Sequence, residues 1–112
     1  MTTPADELRA AAEKIRALAA TATDGPWHQS GIGDEGWTVA SPDQFIAETE
    51  DGEKGRADAD YIAAMGPNVG EKLARWLDVT ADSLAANTHP GWQEAVAPDA
   101  LAVARTLLGG QP

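Results

Sequence analysis

The sequence has no cysteine and few basic or aromatic residues. Without cysteine, the 112-residue chain has no disulfide, no thiolate metal site and no cysteine nucleophile. Its eight lysines and arginines face eighteen acidic residues, which gives a formal charge of −10. No apolar run approaches the roughly 18 residues that a membrane span needs, and no charged-then-apolar leader opens the chain. We therefore expect a cytoplasmic protein with no cofactor and no membrane association.

The negative charge is concentrated in the middle of the chain. Ten acidic residues lie between Asp24 and Asp60, where only Lys54 and Arg56 oppose them. Nucleic-acid affinity depends on cations that displace counterions from phosphates, so we expect no direct nucleic-acid binding. Two interpretations of the acidic surface remain. It either maintains solubility, or it is itself a ligand for a basic protein surface or a mimic of DNA.

Three stretches have the apolar spacing of amphipathic helices. Thr3 is a suitable N-cap and Pro4 a suitable first residue for a helix over about 4–22. A second stripe over 69–86 includes Trp76, which the pattern places in the core. A third helix is expected over about 98–108, before the Gly109–Gly110 pair. The segment 88–96, which contains Trp92, has no clear period and is interpreted as an irregular connection.

Residues 27–50 differ in character from the helical stretches. "WHQS", "WTVAS" and "FIAETE" are short and rich in aromatic and β-branched residues, with glycine and proline turns between them. This pattern predicts a short antiparallel β-meander. Such a small sheet needs a helix on one face to be stable. The prediction is a single α+β domain over 1–112, in which two to three helices follow the sheet and pack on it.

The segment "RADADYIAAMGPNV" invites two interpretations. Asp58 or Asp60 would cap a helix over about 58–65 whose apolar residues include Tyr61 and Met65. The same two carboxylates, together with His28, could instead serve a metal-dependent enzyme or a nucleotide-binding protein. On a helix, residues two apart point about 200° away from each other, so these two could not share a metal. The helix cap is the preferred interpretation.

Two blocks of the chain resemble a family of small phage proteins. "LRAAAEKIRALAATATDGPWH" ends a helix in a Gly-Pro-Trp turn, and "VASPDQFIAETEDGEKGRADADYIAAMGPNVGEKLARWLD" continues with a strand and two helices. Both are similar to Ead-like accessory proteins of the phage early region and to related actinobacterial and actinophage proteins of unknown function. The resemblance covers most of residues 8–108. It implies a cytoplasmic protein of an infected host cell, and it carries over no catalytic residue.

We therefore expect a non-enzymatic accessory protein that works by protein–protein contact, in counter-defence or host takeover. The expected partner is a basic host protein. The alternatives are the metal-dependent or nucleotide-binding protein and a self-assembling protein, such as a homodimer formed through the alanine-rich first helix. The contact residues expected from the charge pattern and from a loop tryptophan are Glu48, Glu50, Asp51, Glu53 and Trp92. Trp92 could equally belong to the core.

Overall fold

The computed structural model describes residues 2–86 and 89–109, and it confirms the predicted α+β fold. An N-terminal helix is followed by a three-stranded antiparallel sheet and then by further helices. No helix in the described ranges is long and apolar enough to cross a lipid bilayer. The elements in chain order are α1 (Pro4–Thr21), β1 (His28–Ile32), β2 (Trp37–Ala40), β3 (Phe45–Glu48), α2 (Gly52–Ala64), α3 (Pro67–Ala85), α4 (Pro90–Val96) and α5 (Pro98–Leu107).

The chain forms two compact units, whose boundaries fall within α1 and within α3. The first unit comprises residues 1–17 and 71–112, and the second comprises residues 18–70. The first therefore contains most of α1 and α3 with α4 and α5, and the second contains the sheet and α2. The single domain over 1–112 stays a prediction.

The core of the first unit is built from small and medium apolar side chains. Alanines alternate with leucines, which lets the helices approach closely. The buried residues of this core are Ala5, Leu8, Ala11, Ala12, Ala74, Leu77, Ala81, Leu84, Ala100, Leu101 and Ala104.

The predicted position of Trp76 in the core is wrong. Its side chain is 44% exposed, because the buried stripe of α3 consists of Ala74, Leu77, Ala81 and Leu84. Trp76 precedes Leu77 by one residue and therefore lies about 100° away around the helix. The apolar period was correct, but small alanines rather than the large aromatic residue define the face that packs.

A buried glutamine joins three helices of the first unit. The Gln93 side chain in α4 is 3% exposed and accepts a hydrogen bond from the Ala5 backbone amide of α1 at 3.2 Å. Its Nε2 atom donates to the Leu84 carbonyl oxygen of α3, also at 3.2 Å. These two backbone groups lie near helix ends, where the α-helix provides no partner of its own. Gln93 thus supplies buried partners that the helices lack.

The sequence correctly placed the start of α1. Thr3 Oγ1 accepts a hydrogen bond from the Asp6 amide, and the Asp6 carboxylate accepts one from the Thr3 amide, at 3.1 and 3.0 Å. This reciprocal pair is a capping box with aspartate in the usual place of glutamate. The hydrogen bonds from Thr3 lower the pKa of Asp6 below its ordinary value.

The sheet of the second unit has the order β1–β2–β3 and lies against α2. Val39, at the centre of β2, pairs with Gln29 on one side and Ala47 on the other and is completely buried. The β1–β2 pairing is irregular between Gln29 and Ile32, where Gly31 has a φ of 90°. Glycine adopts that backbone conformation without the steric cost of a side chain.

Helix α2 begins earlier than predicted, at Gly52 rather than near residue 58. Asp51 is the N-cap residue, so Asp58 and Asp60 lie inside the helix and neither caps it. The "DGEKG" stretch looked like a turn because it contains two glycines. Gly55 instead lies on the buried face with Ala59, one helical turn apart, which allows the helix to lie close to the chain beneath it.

The prediction of an irregular connection over 88–96 is wrong for residues 90–96, and residue 88 lies outside the described residues. Residues Pro90–Val96 form the short helix α4, in which proline occupies the first turn, and His89 Nδ1 accepts a weak bond of 3.4 Å from the Trp92 amide. The stop after α5 is confirmed at Gly109, whose φ is 82°. Gly110 lies outside the described residues.

Replacing Gln93 tests the role of this side chain in the first unit. Gln93→Ala leaves two buried backbone groups without their partners, so the free energy of unfolding should fall by about 1–3 kcal/mol. Urea denaturation followed by circular dichroism measures the change. The control is Gln44→Ala, an exposed glutamine, for which a change within about 0.5 kcal/mol is expected. Equal effects of both substitutions would contradict this role.

Candidate interaction surface

The predicted contact residues 48–53 form a corner between β3 and α2. Thr49 fixes this corner through its backbone amide and its hydroxyl group. Its amide donates to the Trp37 carbonyl oxygen of β2 at 2.8 Å. Its hydroxyl lies 2.6 Å from the Gly55 carbonyl oxygen of α2 and 3.3 Å from that of Trp37. The acidic residues on either side of Thr49 are therefore attached to a backbone that is bonded to both the sheet and the helix.

Two glycines allow the backbone of this corner to pack closely. A Cβ atom on Gly36 would overlap the Thr49 carbonyl oxygen, and one on Gly55 would overlap the Glu50 carbonyl oxygen. Both glycines are buried. Any larger residue at either position would force the backbone apart, since the overlapping atoms belong to main chain rather than to a flexible side chain. The corner is thus held on both sides by main-chain contacts.

Glu48, which is half-buried, is held within the protein through one of its carboxylate oxygens. Its Oε2 atom accepts hydrogen bonds from the backbone amides of Glu35 and Gly36, both at 2.7 Å. Successive amides in a turn form a cradle for anions, and here the carboxylate of the same chain is the bound anion. Glu48 therefore stabilises the β1–β2 turn.

Glu50, Asp51 and Glu53 are the predicted contact residues whose side chains are exposed and unpaired. All three are exposed, and none takes part in the four ion pairs of the described residues. Asp51, although it is the N-cap of α2, forms no side-chain capping bond. Asp51 and Glu53 lie where the helix dipole stabilises negative charge, so the helix tolerates these carboxylates without cationic partners.

The two units differ in formal charge and in the number of ion pairs that they contain. Residues 18–70 carry ten acidic and two basic side chains, a formal charge of −8, whereas the remainder of the chain carries −2. All four ion pairs that the structure describes lie in the first unit, and they are Arg9–Asp82, Arg16–Asp78, Arg105–Glu7 and Arg105–Glu94.

Arg105 of the first unit and Arg56 of the second have different kinds of partner. In the first unit, the hydrogen bonds that the Arg105 guanidinium donates to the carboxylates of Glu94 and Glu7 raise the pKa of Arg105. In the second unit, Arg56 lies over the Trp37 ring, with 5.1 Å between its guanidinium carbon and the ring centroid. This arrangement is a cation–π contact. One of the two cations of the second unit is thus placed on an aromatic ring and takes part in none of the described ion pairs.

Trp92 does not belong to the same unit as the acidic corner. It lies on α4 in the first unit, and its side chain is 39% exposed. This exposure excludes a fully buried core position. Its role in a contact with a partner stays a prediction.

The residues of the alternative metal site, His28, Asp58 and Asp60, lie on β1 and α2. His28 is exposed at the start of β1, and Asp60 Oδ1 accepts a hydrogen bond from Gln29 Nε2 at 3.0 Å. Over residues 2–86 and 89–109, no group of three or more histidine, aspartate and glutamate side chains is arranged to hold a metal ion.

Comparison with known protein families, curated proteins and solved structures gives no match for this chain. The likeness to Ead-like phage proteins stays a prediction.

Tyr61 is a surface residue, although the sequence pattern counts it among the apolar residues of its helix. It is 69% exposed, while Gly55 and Ala59 are the buried residues of α2. The signal that identifies the packed face is the spacing of these two small residues. Four residues apart, they lie on one side of the helix, and that placement turns Tyr61 outward.

Replacing Glu48 separates its internal role from those of the exposed acids. Glu48→Ala removes the acceptor of two backbone amides, so hydrogen exchange at Glu35 and Gly36 should become faster, by roughly tenfold for about 1.4 kcal/mol of lost protection. Exchange measured by NMR tests this expectation. Glu50→Ala removes a neighbouring acid of the same size and should leave both amides unchanged. Unchanged exchange in Glu48→Ala would show that the carboxylate does not order the turn.

Proposed function

We propose that this protein is a small, non-enzymatic accessory protein of phage or prophage type that binds a basic partner protein through the acidic surface of residues 18–70. The contact surface includes Glu50, Asp51 and Glu53. The observation that carries the proposal is the segregation of charge, since −8 of the formal −10 lies in one unit without an ion pair among its described residues.

The contrast between the units argues against solubility as the sole role. A chain that needed negative charge only for solubility would gain as much from acids spread over its whole surface. Concentrated charge has a cost, because neighbouring carboxylates repel one another in the folded state. That cost is explained if a cationic surface neutralises the carboxylates upon binding.

The corner geometry adds preorganisation to the charge. The backbone that carries Glu50 is fixed by Thr49 and by the close approach of Gly55, so it does not have to be ordered upon binding. Less conformational freedom is then lost in the complex. Electrostatic attraction would also accelerate encounter with the partner and would weaken as salt screens it.

The charge also bears on which partners fit. A phosphate backbone and a second acidic unit of the same chain would both be repelled by this surface. The resemblance to phage early-region proteins supplies the biological setting, in which the partner is a host protein and the outcome is counter-defence or host takeover. A surface that imitates DNA is one form of the same proposal.

The proposal is tested by capture of partners from an actinobacterial lysate at about 0.05 M and about 0.5 M salt, where the Debye length falls from roughly 14 to 4 Å. The wild-type chain should retain a basic protein at low salt and release it at high salt. The triple variant Glu50→Gln/Asp51→Asn/Glu53→Gln should retain at least tenfold less, since three charge contacts are lost.

The matched control removes three exposed acids from the first unit. Glu13→Gln/Glu71→Gln/Asp99→Asn changes the net charge by the same amount, and none of these residues is ion-paired in the described structure. It should retain the partner as the wild type does. Equal loss in both variants would show that total charge, not the acidic unit, controls binding. Capture that survives high salt would contradict an electrostatic contact.

A further inference from the structure

The outer face of α2 carries an exposed aromatic ring that no neighbour on the helix covers. Tyr61, at 69%, is the most exposed large hydrophobic residue of the described chain. On a helix, the residues three and four positions away are the surface neighbours. Those of Tyr61 are Ala57, Asp58, Ala64 and Met65, and all four are exposed.

Asp58 places a carboxylate directly beside this ring. It lies three residues before Tyr61, a spacing that brings the Cβ atoms to about 5–6 Å. Lys54, one turn before Asp58, is not ion-paired with it. Among the described residues, Asp58 has no hydrogen bond, so its oxygens are available to donors from outside the chain. An aromatic face and a carboxylate thus lie side by side in solvent.

The same unit already contains a guanidinium placed on an aromatic ring, where Arg56 lies over Trp37. That contact is internal, whereas Tyr61 and Asp58 present the two acceptor groups outward. A planar guanidinium can stack on a ring while its edge donates paired hydrogen bonds to a carboxylate. A lysine ammonium group is a compact and strongly hydrated charge, so it pairs with a carboxylate more readily than it stacks on an aromatic ring.

We infer that Tyr61 and Asp58 together receive an arginine side chain of the basic partner. This inference rests on the proposed function and specifies its partner, which is an arginine-bearing segment rather than any cationic surface. A second copy of the chain does not fit this face in a symmetric dimer, because it would bring Asp58 of one copy, in a unit with a formal charge of −8, towards the same negatively charged face of the other. The formal charge of −8 in this unit favours a cationic occupant.

The chain offers a selective spectroscopic probe, since Tyr61 is its only tyrosine. Protein labelled with 3-fluorotyrosine gives one fluorine resonance, which reports on this ring alone. The ligands are two short alanine-based helical peptides of equal length and charge, one with arginines and the other with lysines at the same positions. Titrations at about 20 mM salt keep the electrostatic attraction largely unscreened.

The arginine peptide should bind the wild-type chain roughly two- to fivefold more tightly than the lysine peptide, the range expected for an exposed cation–π contact. It should also shift the fluorine resonance further at saturation. In Tyr61→Leu, which keeps an apolar side chain but removes the ring, the preference should disappear, whereas Tyr61→Phe should retain it. Affinities of these variants are measured by amide chemical-shift titration.

Two matched controls come from the same unit. Phe45→Leu removes another exposed ring, 62% exposed on β3, and should leave the preference unchanged. Asp58→Asn should reduce both affinity and preference, while Asp34→Asn, which removes an exposed acid elsewhere in the unit, should reduce affinity for both peptides equally. Since the four substituted residues, Tyr61, Phe45, Asp58 and Asp34, are all exposed, every variant should have a melting temperature close to that of the wild type.

The outcomes distinguish the inference from the proposed function. If neither peptide binds the wild type, the acidic surface is not a ligand for cations, and the proposed function fails together with the inference. If both peptides bind with equal affinity, or if Tyr61→Leu keeps the preference, the arginine site is wrong while the proposed function stands. Loss of preference in Phe45→Leu would place the contact on β3 instead.

Discussion

The second unit depends on the way one threonine joins its sheet to its helix. Thr49 donates from its amide and its hydroxyl to carbonyl groups of β2 and α2, at the point where the chain passes from strand to helix. Those bonds are possible because Gly36 and Gly55 allow backbone to lie against backbone. The start of α2, the outward position of Tyr61 and the fixed position of the acidic corner all follow from this junction.

The acidic residues of the two units have different surroundings. The first pairs cations with acids across its helices, and exposed pairs of this kind contribute little to stability. The second leaves its acids unpaired, places one of its two cations on a tryptophan, and uses one carboxylate to order a turn. Its charge is therefore a property of the surface rather than of the interior.

Much of the fold could be predicted from the sequence, because the spacing of apolar residues and the capping and turn residues are local signals. Thr3 and Pro4 marked the start of α1, and alternating residues with glycine turns marked the meander. The errors at α2 and Trp76 share one physical cause. Sequence patterns weigh large apolar side chains most heavily, whereas the close packing here is made by Gly55, Ala59 and Ala74. The sequence pattern therefore assigns a packing glycine to a turn and overlooks the alanines that define the buried face of a helix.

The negative charge of the candidate site could be predicted from the sequence, but the contacts and exposure of its individual side chains could not. Ten acids in a short segment are visible in the sequence, yet the internal role of Glu48 depends on a turn thirteen residues earlier. Likewise, the exposure of Tyr61 depends on which face of α2 lies against the sheet. Such long-range relations are properties of the folded chain, and no window along the sequence contains them.

The bound carboxylate of Glu48 has one further consequence for what the surface discriminates. Two adjacent amides in a turn would otherwise offer a receptor for phosphate or sulfate. Since the Glu48 carboxylate already occupies these two amides, a small inorganic anion would have to displace it in order to bind there. The unit is left with exposed carboxylates as acceptors, and its formal charge of −8 would repel small anions from the rest of its surface.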